Sequence, residues 1–469
     1  MSDKPRRPKH LSSRFDNLPP QLLTNCTQKD YINILKESRW NNDYKNKVYM
    51  EYLEASSIDE IVYSEYKCSI AMALVLRYVL PDFFKSKDLN IDKITVIDSD
   101  GEYAPSFSAI EVALDVKESR LDYGDYLVSN GEQKYIVHLE SCYPDSFLFK
   151  IGGRKDVSPD VHKLSEEMIK YGEDHNFLKG KKIDPVCNFV KFDKVYDWKD
   201  LILPEKIKNK IRRNITNLID SREIYKKNGL SIKRGIVLSG SPGTGKTQLF
   251  KILCNQIPWT VIWITPKHLD RAKNVAAIID LAKALSPSIM LLEDLDLYAG
   301  DRSSNGNPAL LGELMNQLDG VQDNTDIITI ATTNNKEVLE KALLDRPGRF
   351  DICIDFPLPD VTERLQMIKT FSNGLLDESL PYLESIAREF SKKTGAQVRE
   401  LVNMAIIFAL DEKSYDTNEK LIVTEEHFRK AMKAVEGKDF NKVPGFNPTG
   451  ASSPIGNRLD DLCSGPDFD

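Results

Sequence analysis

The chain has 469 residues, with 64 Lys and Arg against 71 Asp and Glu and a formal net charge of −7, so its bulk charge offers no attraction for nucleic acid. That length holds about three domains, and no apolar run approaches the roughly 18 residues that span a bilayer, since the stretch 68–80 is too short and carries Arg77. Seven cysteines, at 26, 68, 142, 187, 254, 353 and 463, are scattered without a C-x-x-C pair, which argues against a disulfide or zinc scaffold and for a reduced, cytoplasmic protein.

Residues 1–25 are rich in Pro, Lys and Arg and are expected to form a disordered basic tail. Because no apolar core follows the basic start, the tail does not read as a secretory signal. Residues 26–193 are expected to be a separate α+β domain. Helical patterns run to about Phe84, strands are expected at 93–98, 125–129, 134–140 and 146–152, and a helix at 160–175. The six histidines of the chain are isolated, and this region has no nucleophile beside a base and no metal-ligand spacing. Docking of a protein substrate or adaptor is its expected role. The basic stretch KIKNKIRRN (206–214) carries Ile207 and Ile211, with Ile215 following at the same four-residue spacing. It predicts an amphipathic helix with a solvated basic face.

The segment 234–253 is an apolar strand, a glycine-rich turn and a helix start, containing Gly240-x-x-x-x-Gly245-Lys246-Thr247. Gly240, Gly243 and Gly245 let backbone N–H groups curl around an anion, and the following helix aims its positive end at the same point. Ser241, Pro242, Thr244 and Gln248 complete the wall of this loop. Lys246 would neutralise the β- and γ-phosphates of ATP, and the Thr247 hydroxyl is placed for Mg²⁺. The apolar run 289–292 ends in Glu293 and Asp294, and carboxylates at the carboxyl end of a buried parallel strand face the ligand crevice. Glu293 is assigned to the metal-bound water and Asp294 to orienting the attacking water. A third strand, 326–335, ends near Asn334, suited to the γ-phosphate or the lytic water. Arg346 and Arg349 follow on a Pro/Gly turn that keeps a helix from burying them, so they can be presented to a phosphate. Residues 358–436 read as helical. Thr424 is the expected N-cap of the last helix, with an incomplete capping box because His427 stands where Glu or Gln would close it. Residues 437–469, rich in Gly, Pro, Asn and Ser, are expected to be a disordered tail.

Taken together, GSPGTGKT, the LLED strand end, LMNQLDGV (314–321), Asn334, RPGRFD (346–351), FPLPD (356–360) and TGAQVREL (394–401) resemble an AAA-family ATPase module over residues 195–436. The resemblance implies that Arg346 and Arg349 act on the nucleotide of a neighbouring subunit in a homo-hexameric ring. It also implies that Gly395 and Ala396 open a lid helix near the adenine base, and that the backbone of Asp200, Leu201 and Ile202 runs past that base. Two departures stand out. The acidic pair is Glu-Asp where most of the family has Asp-Glu, an order similar to the mitochondrial AAA ATPase that assembles respiratory complex III and its bacterial relatives; the lead-in 225–235 resembles that branch too. The region 265–279 lacks the aromatic and glycine with which unfoldases of this family grip a threaded chain; His268 and Leu269 stand there instead.

The expected fold is thus a doubly wound parallel-sheet P-loop ATPase domain (194–357) with a helical lid (358–436), preceded by the α+β domain. The expected function is ATP-driven remodelling or assembly of a protein partner, without a membrane. A nucleic-acid loader, for which Lys267, Arg271 and Lys273 would line the pore, and a slow nucleotide-gated scaffold are the alternatives.

Overall fold

The computed structural model describes residues 43–436, apart from 99–100, 143–145, 157–160, 231, 270–271, 300–307, 320–325, 336–349, 351, 373, 376–379 and 416–419. Both expected tails lie outside the described residues. The chain divides into two compact units, one reaching Ile110 and resuming over Lys117–His175, the other taking Glu111–Val116 and everything from Asn176 onward.

The first unit is built on strands β1 (Ile61–Ser69), β2 (Asn90–Asp98), β3 (Gly101–Tyr103), β4 (Ser106–Ala113), β5 (Val116–Ser129), β6 (Lys134–Cys142) and β7 (Ser146–Arg154). They form one sheet in the order β1-β7-β6-β5-β2-β3, with β4 paired to β5. Side chains alternate between faces along a strand, and here the alternation splits two cores. Tyr126 and Val128 of β5 and Tyr135, Val137 and Leu139 of β6 join residues of helices Ile70–Ser86 and Val161–Asp174. Leu127 and Ile136, one residue out of phase, join Ile61, Ile97 and the Tyr49 and Leu53 of helix Asp43–Leu53. Residues 61–69, expected to be helical, are instead strand β1, antiparallel to β7 from Ile61–Arg154 to Ser69–Ser146. Ile61, Val62, Tyr63 and Tyr66 favour a pleated surface, and the helix starts only at Ile70.

On the second face Asp125 is fully buried. Its carboxylate accepts from the Tyr49 hydroxyl (2.5 Å), from His138 Nδ1 (2.8 Å) and from the Ile97 backbone N–H (3.2 Å). Burial opposes its ionisation, but His138, Lys45 and Tyr49 outweigh that and hold Asp125 below the usual carboxylate range. Burial likewise opposes charge on His138, while Asp125 raises its pKa and wins.

The second unit has strands β8 (Lys182–Ile183), β9 (Arg234–Ser239), β10 (Thr260–Ile264), β11 (Ser288–Leu292), β12 (Ile327–Thr333) and β13 (Ile352–Asp355). All neighbours are parallel, in the order β13-β9-β12-β11-β10-β8. Strands β10, β11 and β12 are buried at every residue, as strands covered on both faces should be. The expected boundary between residues 193 and 194 lies further along the chain than the division after His175, because β8 pairs with β10 and Lys182 Nζ donates to the carbonyls of Ile257 (2.6 Å) and Trp259 (2.7 Å). The basic helix Glu205–Asn214 packs as its spacing predicts, with Ile211 and Ile215 buried and Arg212 over the Trp198 ring at 4.9 Å.

Helices Val361–Phe371, Tyr382–Glu389, Gly395–Asp411 and Glu425–Glu436 enclose a core of their own around Ile368, Leu383, Phe390, Leu401 and Phe428. The capping box expected to be incomplete at Thr424 is closed by His427, whose Nδ1 accepts from the Thr424 N–H at 3.0 Å. No helix among the described residues is long and apolar enough to cross a membrane.

Candidate active site

The sheet places β9 between β12 and β13 while β10 lies beyond β11, so the connection leaving β9 sits where the strand order reverses, the usual ligand crevice of an open α/β sheet. The glycine-rich loop runs from that strand end into helix Lys246–Gln256. Two of its glycines have no room for a side chain. A Cβ on Gly240 (φ +157°) would come within 2.5 Å of the Phe356 carbonyl oxygen, and one on Gly243 (φ +80°) within 2.6 Å of the Ala396 Cβ. Thr244 is buried and its hydroxyl donates to the Ser241 carbonyl at 2.9 Å, tightening the loop. Ser241 and Pro242 are exposed, and Thr247 and Gln248 half-buried.

Lys246 is only 7% exposed. Its Nζ donates to the carbonyls of Gly240 and Ser241 and to Asn334 Oδ1 at 2.8 Å. Burial pushes its pKa down to about 8, against the pull of Asp294 and Asp296. Asn334, just beyond the end of β12, donates through Nδ2 to Asp294 Oδ1 at 3.2 Å. A single amide therefore joins the loop lysine to the second carboxylate. Asp294 adopts a left-handed backbone (φ +49°), rare for a non-glycine residue. The turn is held by Asp294 N donating to Thr332 Oγ1 (2.9 Å) and Leu295 N to the Thr332 carbonyl (2.8 Å). Burial and the neighbouring Asp296 raise the Asp294 pKa, opposed by Lys246 and Asn334. Burial also raises that of Glu293, opposed by hydrogen bonds from the side chains of Trp263 and Thr247.

Thr247 is thus near the Glu293 carboxylate, while Lys246, Asn334 and Asp294 form one hydrogen-bonded chain. A hydroxyl and a carboxylate are hard oxygen donors of the kind Mg²⁺ takes alongside phosphate oxygens and water, and the buried Lys246 ammonium beside a glycine loop at the start of helix Lys246–Gln256 suits phosphate. Both groups fit the residues present.

The lid reaches the same loop. Thr394 caps helix Gly395–Asp411, and the Ala396 N–H donates to the Gly243 carbonyl at 3.1 Å. Leu201 lies in the core of the parallel-sheet domain, and its Cδ1 would be 3.2 Å from a Cβ on Gly245. Ile202, the next residue, belongs to the lid core. The Asp200 carboxylate turns away into a local cap, accepting from Asp197 N (2.7 Å) and Lys194 Nζ (3.0 Å), which leaves only its backbone for a base. Leu269 is buried, and His268 Nδ1 accepts from the Thr265 N–H at 3.1 Å. Arg346 and Arg349 lie outside the described residues, as does Arg271; Lys267 is exposed. Sequence reasoning missed Asp296, which accepts from the Asn334 N–H at 3.0 Å, as well as Thr332 and Trp263. Asp296 lay two residues past Asp294 in plain view, whereas Thr332 and Trp263 become neighbours only through strand order.

A glycine loop at the switch point of a parallel sheet, with lysine, paired carboxylates and a strand-end amide converging on it, defines a P-loop nucleotide-binding protein. The chain belongs to the AAA family: residues 236–358 match the family described as ATPase family associated with various cellular activities (AAA). It is 30% identical over 320 residues to a 26S proteasome regulatory subunit 8 homolog of Naegleria fowleri, covering 65% of this chain and 72% of that relative. Identity to 26S proteasome regulatory subunit 8 homolog B of Arabidopsis thaliana is 31% over 277 residues, 56% of this chain and 64% of the relative. With the proteasome-activating nucleotidase of Methanoregula boonei it is 31% over 254 residues, 52% and 56%. The chain therefore spans less than two thirds of the length of these last two relatives.

Proposed function

We propose that this protein binds ATP with Mg²⁺ and couples ATP hydrolysis to remodelling or assembly of a protein partner. The observation that carries the reading is the contact chain from Lys246 through Asn334 to Asp294, which ties the phosphate-binding cation to the carboxylate beside the attacking water. Lys246 would hold the β- and γ-phosphates, Thr247 and Glu293 the metal side, and Asp294 with Asn334 the water. Asn334 would exchange its lysine contact for one to the γ-phosphate. Gly395, Ala396 and the backbone of Asp200 and Leu201 would border the adenine. Arg346 and Arg349 would complete a neighbour's site, in a homo-hexamer working in the cytoplasm.

The amino-terminal domain, expected at 26–193 and ending at His175 as a compact unit, would select the partner. The names of the relatives, 26S proteasome regulatory subunits and a proteasome-activating nucleotidase, support a protein rather than a nucleic acid as that partner. The Glu293-Asp294 order and the 225–235 lead-in support kinship with the complex III assembly branch within the family. The test compares ATP turnover alone, with an unfolded protein and with DNA, using Lys246→Ala as the blank. Stimulation by protein and not by DNA is the expected result. Stimulation by DNA alone would move the assignment to a nucleic-acid loader, and no turnover above the blank would remove the hydrolase reading.

A further inference from the structure

The chain leaves β11 after Leu292 and divides its next backbone N–H groups between two neighbours. Glu293 N donates to the Ile264 carbonyl at the end of β10 (2.9 Å), while Asp294 N and Leu295 N both donate to one residue of β12, Thr332. Thr332 stands one place beyond the last pair of the β11–β12 ladder, Leu292 with Ala331, and only 1% of it is exposed. Its hydroxyl accepts from Asp294 N at 2.9 Å and its carbonyl from Leu295 N at 2.8 Å.

Those two N–H groups belong to the peptide planes on either side of the Asp294 Cα. A residue has two soft torsions, one toward each plane, so holding both planes holds its conformation. Here that conformation is left-handed, φ +49°, which costs an L-residue energy and persists where neighbours impose it. The two contacts ask different things of the sequence. Any residue at 332 offers the carbonyl, but the bond from Asp294 N needs an acceptor on the side chain. Asn334, two residues further on, takes the other end of the same aspartate, its Nδ2 donating to Asp294 Oδ1 at 3.2 Å. The end of one strand thus grips Asp294 by its backbone and by its carboxylate.

We propose that Thr332 is a positioning residue for the water-side carboxylate, its hydroxyl locking the left-handed turn that aims Asp294 at Asn334. The inference rests on the reading of Asp294 as the group that orients the attacking water. Without the hydroxyl the plane ahead of Asp294 can rotate, the backbone relaxes and the carboxylate swings off its line. The phosphate loop and Lys246 sit on other elements and keep their place, so turnover and ATP binding separate.

Thr332→Val in the full chain keeps the shape and removes the acceptor. Its expected phenotype is a turnover lowered roughly 10- to 100-fold, the cost of a carboxylate misplaced by about 1 Å, with an unchanged ATP affinity. Thr332→Ser, which restores the hydroxyl, should return turnover close to that of wild type. In an Asp294→Asn background, where the side chain at 294 no longer carries the charge to be aimed, Thr332→Val should slow single-turnover hydrolysis no further. Should Thr332→Val fail to fold, Thr332→Ala removes the same acceptor without setting a methyl group against the amide and carries the same expectation. Wild-type turnover without the hydroxyl, a serine no better than valine, or an equal slowing in the Asp294→Asn background overturns the proposal. If Asp294→Asn alone keeps wild-type turnover, the water-side assignment has failed instead.

Discussion

Asn334 holds two groups of opposite charge at once, and that arrangement makes the roles of its neighbours separable. Lys246→Ala removes the cation that meets the phosphates and should abolish ATP binding in a titration while the amino-terminal unit stays folded. Asp294→Asn should bind ATP yet turn it over roughly 10²–10⁴-fold more slowly, the usual contribution of a general base or water-orienting group. If Glu293→Gln gives that behaviour and Asp294→Asn loses Mg²⁺-dependent binding, the two carboxylates have exchanged roles. These residues were legible because strand-end spacing alone puts them in the crevice. Thr332 was not, because its contact with Asp294 is set by which strand lies beside which.

A second residue-scale prediction concerns Asp125 and His138. The depressed Asp125 pKa contributes stability that is present above the ordinary value of 3.8 and lost as pH falls through the lower folded value. The raised His138 pKa contributes stability fully present below 6.5 and lost as pH rises through the higher folded value. Between those two values both contributions stand. The urea midpoint of the amino-terminal unit should therefore fall as pH rises above 6.5 and through the raised folded value of His138, and His138→Gln should flatten that fall. A wild-type slope retained in the variant would mean that other groups carry it.

At the scale of elements, histidine replaces glutamate or glutamine in two capping boxes. His427 Nδ1 accepts from the Thr424 N–H, so its proton sits on Nε2, which faces Glu412 Oε2 at 3.1 Å; His268 serves Thr265 in the same way. The pattern S/T-x-x-E/Q is a rule about an acceptor at the third position, and a neutral imidazole offers one. His427→Ala should cost about 1 kcal/mol, a typical cap loss, read from the urea midpoint of the lid, and His427→Gln should recover most of it. Gln performing no better than Ala would assign the stability to the Glu412 contact instead.

The same scale shows what the sequence could carry. Strands buried on both faces, such as Ser288–Leu292, announce themselves as unbroken apolar runs. Ile61–Ser69 alternates buried Ile61, Ser64 and Cys68 with exposed Glu65 and Ser69, a spacing close enough to helical to be misread, and only its nine-residue pairing with β7 decides it. Lys182–Ile183 is too short to be seen at all. It is a strand only because β10 offers an edge.

At the scale of the whole molecule, the contact between the lid helix and the phosphate loop makes nucleotide binding a property of two cores, since Leu201 packs in one and Ile202 in the other. A third contributor comes with the family resemblance. Arg346 and Arg349, the arginines of the RPGR motif, are proposed to act on a neighbour's nucleotide rather than their own. Arg349→Ala should then bind ATP like wild type and hydrolyse it slowly, while Lys246→Ala neither binds nor hydrolyses. Mixed in one assembly, the two should regain activity, because an intact phosphate loop from the first meets an intact arginine from the second at a shared interface. The measurement is turnover against mixing ratio at fixed total protein. Activity that simply averages the two parents, together with a wild-type rate per chain that does not change with protein concentration, would show that each chain works alone and that the ring is absent.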